Sequence, residues 1–181
     1  PQWMASVPRI WEGVRSAVYR NINNEGGIKK SLFYFFVGVG EAFARLRNLL
    51  LGRTPQFRKR FRVFDIIISF IPLILLSPLK ALGNLLVFKK LKARLGGEFI
   101  AGISGGGALP DYVDKFFQAA GILLLEGYGL TETAPILSVR KQKKPVSNTV
   151  GPLLKDVEYR VLDEQNNEVG PGRKGVLWVK S

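Results

Sequence analysis

The chain has no cysteine and no histidine among its 181 residues. Without cysteine there is no disulfide and no thiolate metal site, which is compatible with a reducing cytoplasm. Without histidine no imidazole can act as base or metal ligand, so serine–histidine and zinc hydrolase chemistry within this chain is excluded. Acidic residues are scarce in the first half. Residues 1–96 carry 17 Lys and Arg against 4 Asp and Glu, whereas residues 97–181 carry 10 of each. The whole net charge of +13 therefore belongs to the first half. Such asymmetry points to an anionic partner, either a nucleic acid or a membrane surface.

Long apolar runs are also lacking. The most apolar stretch, IIISFIPLILLSPL at 66–79, is interrupted by Pro72 and Pro78 and closed by Asp65 and Lys80. It falls short of the ~20 residues a bilayer span requires, and no secretory signal pattern is present. A simple transmembrane helix is not expected. Two readings stay open: a shallow element on a membrane surface, or a segment buried against protein outside this chain. Lys80, Lys89, Lys90, Lys92 and Arg94 follow the run and favour surface contact, with an anionic leaflet as the peripheral partner. The basic stretch RTPQFRKRFR at 53–62 reads as a solvated turn or a lipid-facing segment, with nucleic acid the weakest reading.

Helical spacing runs from Pro8 to about Ile22, with Ile10, Trp11, Val14, Val18 and Ile22 on one face. Residues 21–27 (NINNEGG) read as a loop. A second helix is predicted from Lys29 to about Leu51, closed by Gly52, and a third region of helix from 79 to 95. Gly96 and Gly97 mark a soft boundary between a basic, largely helical segment (1–96) and an α/β portion (97–181), both parts of one larger domain.

The second portion is organised around residues 100–137. An apolar strand near 100–104 leads into the glycine turn Gly105, Gly106, Gly107, Ala108. Pro110 starts a helix to about Ala120; a second strand at 122–125 leads into a loop at 126–133, EGYGLTET. Both loops then lie at one edge of a sheet, where open α/β sheets bind ligands. The first loop is no P-loop, because no Lys-Ser/Thr pair follows its glycines. Asp111 in the first helical turn would compete with a bound anion. A flat, uncharged group such as an adenine ring or an acyl chain suits that backbone better. In the second loop Tyr128 offers a ring face, Thr131 a hydroxyl for a phosphate oxygen, and Glu132 a carboxylate of the kind that holds Mg²⁺ beside substrate phosphates. A merely capped turn, with Thr131 as N-cap, fits the same spacing. Downstream, 136–139 reads as a short strand, RKQKK at 140–144 as a solvated basic loop, and 157–162 and 176–179 as strands of a small antiparallel or mixed β part.

ISGGGALP at 103–110 paired with LLEGYGLTET at 124–133 resembles the adenylate-forming enzymes, especially the long-chain fatty acid–CoA ligases. VPRIWEGV at 7–14 and NTVGPLLKDVEYRVLDEQNNEVGPGRKGVLWVKS at 148–181 are similar to segments of that family. The resemblance implies an α/β adenylate-forming domain that uses ATP and Mg²⁺ to activate a fatty acid, then passes the acyl group to CoA. It implies that Tyr128 stacks on adenine, that Thr131 contacts the α-phosphate region and that Glu132 helps hold Mg²⁺. Gly105, Gly106, Gly107 and Ala108 would border adenine and the acyl end, Gly129 and Leu130 would floor the site, and Val150 and Gly151 would line the acyl pocket. The family's phosphate loop with its lysine, its ribose-binding Thr-Gly-Asp segment and its mobile C-terminal domain are not in this sequence. The chain therefore reads as a central fragment, inactive by itself, of a cytoplasmic ligase that can sit on the inner face of a membrane. The alternative is a basic membrane-surface module with a degenerate ligase-like core.

Overall fold

The computed structural model describes residues 2–55, 61–133 and 135–180. Its main sheet has the order β1-β2-β3-β4, formed by Trp3–Ser6, Ala101–Ser104, Leu123–Tyr128 and Ser138–Val139. β1, β2 and β3 are parallel, and β4 pairs antiparallel with the end of β3. Adjacent parallel strands need a crossover. The β2–β3 crossover is α5 (Asp111–Ala120); the β1–β2 crossover is the entire helical half, α1 (Pro8–Glu25), α2 (Gly27–Leu50), α3 (Arg62–Gly83), a π-helical turn (Asn84–Phe88) and α4 (Lys89–Arg94). The two portions read from composition are thus threaded into one α/β unit. The remaining strands, β5 (Glu158–Leu162) and β6 (Val176–Lys180), form a separate antiparallel ribbon.

The core joins both portions. α5 buries Val113, Phe116, Phe117 and Ala120, the i, i+3, i+4, i+7 stripe of an amphipathic helix. That stripe meets Trp11 of α1, Phe33 and Val37 of α2, and Phe88 and Leu91 beyond α3. Trp11 is fully buried and stands edge-on to Phe117 at 5.7 Å between ring centroids. Burying each such ring contributes about 1.5–3 kcal/mol. Trp11 also lies where Gly102 of β2 has no side chain; a Cβ there would come within 2.3 Å of the indole.

Several expectations change. The sequence shows no strand at 3–6, because four residues are too few for an alternation to be read; register with β2 makes it one. Residues 21–25 continue α1, and the expected loop shrinks to Gly26 between α1 and α2. Pro72 and Pro78 sit inside α3 without ending it. The helix from Arg62 to Arg94 is 33 residues, long and apolar enough to cross a membrane by length and composition, contrary to the expectation from the proline-broken run. The expected strand at 136–139 contracts to Ser138–Val139. Of the basic stretch at 53–62, residues 56–60 lie outside the described residues.

Candidate active site

β2 and β3 run side by side and in the same direction, with Ser104 opposite Glu126. The loops that follow them therefore leave the sheet at the same edge. Gly106, Gly107 and Ala108 of the first loop and Gly127, Tyr128, Gly129 and Leu130 of the second line one cleft of about 390 Å³, with Glu126 at its base and Val150 on its wall. The Val7–Pro8 start of α1 backs the first loop: a side chain added at Gly107 would meet Pro8 at 3.6 Å. Tyr128 is partly exposed at the mouth, with its ring available to a flat ligand.

The cleft is held by a charge cluster that the sequence conceals. β3 runs on through Tyr128, so Glu126 is a strand residue and not the first residue of a loop. Its carboxylate accepts the Leu109 backbone N–H at 2.9 Å through Oε1 and the Arg140 guanidinium at 2.7 Å through Oε2. Arg140 also donates to Asp114 Oδ2 of α5 at 2.8 Å and to the Thr149 carbonyl at 2.5 Å. All three charged side chains are buried. One guanidinium thus joins β3, α5 and the segment before Val150, and one carboxylate clamps the glycine loop to β3. The expected solvated loop at 140–144 therefore loses its first residue, Arg140, to the interior. Only residues 141–144 of that run are exposed. An arginine directly after Val139, facing a buried glutamate and an aspartate in the first turn of α5, is not distinguishable by spacing from an exposed one.

Two close approaches shape the cleft's second wall. A Cβ at Gly129 would fall 1.7 Å from the Pro135 carbonyl oxygen. Gly151 has φ +82°, and a Cβ there would lie 2.2 Å from the Val139 carbonyl oxygen. Thr131 and Glu132 form a short 3₁₀ turn, Thr131–Thr133, at the exposed end of this wall. The turn is capped by Thr133, not Thr131: the Thr133 hydroxyl accepts the Leu130 N–H at 3.1 Å. Among the described residues no hydrogen bond of the Thr131 side chain is found. Of the residues singled out in the sequence, Gly106, Gly107, Ala108, Tyr128, Gly129, Leu130 and Val150 share the cleft lining. Gly105, Thr131, Glu132 and Gly151 do not line it. Gly105 sits behind it, bonded through its N–H to the Ser6 carbonyl at 3.1 Å.

Among the described residues no three carboxylate side chains gather into a metal cage. A single exposed Glu132 beside the Thr131 hydroxyl fits an ion that arrives on a polyphosphate and keeps waters and phosphate oxygens as its other ligands, as Mg²⁺ does.

The family model described as AMP-binding enzyme matches residues 1–181. The chain belongs to the AMP-binding enzyme family. It is 32% identical over 188 residues to a chloroplastic long-chain-fatty-acid–[acyl-carrier-protein] ligase, AEE15, of Arabidopsis thaliana, covering 99% of this chain and 25% of that protein. It is 34% identical over 164 residues to the long-chain-fatty-acid–CoA ligase FadD15 of Mycobacterium bovis, covering 91% of this chain and 24% of that protein. The solved structure of ATP-bound MatB from Rhodopseudomonas palustris aligns with 48% of this chain and 18% of its own, at 31% identity and a TM-score of 0.44. The chain spans about a quarter of the length of the curated relatives it matches. Within this AMP-binding enzyme chain, the glycine loop and the Tyr128 loop are the two segments brought to one cleft by adjacent parallel strands.

Proposed function

We propose that this chain is the central part of an ATP-dependent long-chain fatty acid ligase, in which the cleft between the two loops holds the nucleotide during acyl-adenylate formation. The observation that carries this reading is the shared cleft itself. A backbone wall without side chains at Gly106 and Gly107 faces an aromatic ring at Tyr128, which leaves a slot for a flat base. Tyr128 stacks on adenine, Gly129 and Leu130 floor the site, and Val150 leads toward the acyl chain. Gly105 and Gly151 support the two walls from behind. Thr131 donates its hydroxyl to the α-phosphate region, and Glu132 holds Mg²⁺ that enters with ATP. When bound, the ion would offset the negative charge that builds as a carboxylate attacks a phosphate. The buried Glu126–Arg140 pair fixes the distance between the walls and takes no part in the chemistry.

The acyl acceptor is a thiol, of CoA or of a carrier protein; the ligases AEE15 and FadD15 differ in this respect by their names. Catalysis is a property of the longer polypeptide, and the 181-residue chain alone is expected to be inactive. The test is fatty-acid-dependent exchange of pyrophosphate into ATP by the parent protein and its Glu132→Ala variant. A fall of at least a hundredfold in exchange, with the fold intact by circular dichroism, is the expected result. Unchanged exchange would remove Glu132 from the metal site.

A further inference from the structure

The outer helix is inside out for a protein surface. α3 rests on α2, with Gly83 against Phe36, and its buried residues are Ser69, Leu73, Lys80 and Gly83. The Lys80 ammonium points inward, donating to Asn84 Oδ1 at 2.5 Å and to the Ala119 carbonyl of α5 at 2.6 Å. The opposite face carries Phe64, Ile67, Ile71, Ile74, Leu75 and Leu82, each between 45% and 69% exposed. At 100° per residue these positions fall within an arc of about 100°, opposite the buried residues. A surface helix normally places its apolar stripe toward the core and its charges outward. Here the inward face holds a serine and a lysine beside Leu73 and Gly83, and the six outward residues are all hydrocarbon. The helix is held to the protein by the Lys80 bond to the Ala119 carbonyl and by Gly83 lying against Phe36 of α2.

The apolar face is bordered by positive charge. Lys89, Lys90 and Arg94 are exposed just beyond it, and among the described residues none of them has an acidic partner. In sequence, Arg58, Lys59 and Arg60 stand just before α3, and Asp65 is the one acid between residues 62 and 97. Hydrocarbon flanked at both ends by cations is the pattern of a helix lying in the interface of an anionic bilayer. We infer that α3 seats the protein on an anionic membrane, its outer face in the acyl–headgroup boundary and Lys89, Lys90 and Arg94 on lipid phosphates. The occupant is a lipid surface: a hydrocarbon face bordered by Lys89, Lys90 and Arg94 is complemented by acyl chains beneath anionic headgroups. A ligase so placed meets long-chain fatty acids where they partition.

The test uses the parent protein and vesicles of phosphatidylcholine with and without 30% phosphatidylglycerol, a ratio of about one anionic lipid in three. Co-sedimentation with the anionic vesicles is expected, at least tenfold above the neutral ones and falling with salt. Ile67→Glu combined with Ile71→Glu and Leu75→Glu should lower it at least tenfold, with pyrophosphate exchange on a short soluble acid unchanged. Lys89→Glu with Lys90→Glu should remove the preference for anionic lipid. An environment-sensitive dye at Ile71→Cys, in a background without other cysteines, should blue-shift only when vesicles are added. Protein that stays in the supernatant, or a dye already blue-shifted without lipid, would overturn the proposal; the second result would assign the face to the rest of the polypeptide. Because pyrophosphate exchange is read separately, loss of membrane binding and loss of ligase chemistry are told apart.

Discussion

Glu126 and Arg140 meet at 2.7 Å between Oε2 and Nη2, with both side chains buried. Arg140 faces a second buried carboxylate, Asp114, at 2.8 Å. One cation is therefore shared by two anions, and its removal leaves both without a counter-charge in a dry site.

Arg140→Ala should accordingly destabilise the protein by about 3–5 kcal/mol, the cost of breaking a buried ion pair from one side. Glu126→Gln should cost less, since the amide oxygen can still accept the Leu109 N–H and Arg140 keeps Asp114. Arg140→Lys should not rescue, because a single ammonium cannot span two carboxylates and the Thr149 carbonyl. Urea unfolding of the three variants checks this order.

Two glycine substitutions should move stability in opposite directions. Gly129→Ala drives a methyl group to within 1.7 Å of the Pro135 carbonyl oxygen, so the Tyr128 loop must shift. Loss of ATP affinity by at least tenfold is expected along with lower stability. Gly38 lies in α2 with nothing within 4 Å of an added Cβ. Gly38→Ala should raise stability by about 0.5–1 kcal/mol, the helix preference of alanine over glycine. Thermal melts and equilibrium dialysis with ATP report both.

Lys80 gives a pH signature. Burial first, and then the nearby Lys92 and Arg47, lowers its pKa from 10.5 to about 8. The folded-state value lies below the unfolded one, so between about pH 8 and 10.5 the unfolded chain holds the proton and the folded chain does not. Raising the pH through that window favours folding, and below it the buried charge imposes its full cost. The difference in unfolding free energy between the wild type and Lys80→Met should therefore shift toward the wild type as pH rises from 8 to 10. A pH-independent difference would mean that Lys80 titrates normally.

Much of the cleft was legible because its signals are local. Glycines at 105–107 and the Tyr-Gly-Leu-Thr-Glu run can be read without knowing what lies across the sheet. α5 was legible from one apolar stripe and Pro110. What escaped depends on pairing at a distance. Trp3–Ser6 becomes a strand through β2, nearly a hundred residues on. Arg140 is hidden because a charge run looks solvated until Glu126 and Asp114 are brought beside it. The prolines of α3 suggested an interruption, since each removes a backbone donor and clashes with the preceding turn, yet the helix runs through both and meets α2 where Gly83 lies against Phe36.

Photolabelling of the parent protein with 2-azido-ATP, followed by peptide mapping, tests most directly whether one nucleotide sits between the two loops. Labels on both the segment holding Gly106 to Ala108 and the segment holding Tyr128 to Leu130, each suppressed by excess ATP, are the predicted result. ATP-protected labelling confined to other parts of the protein would contradict it.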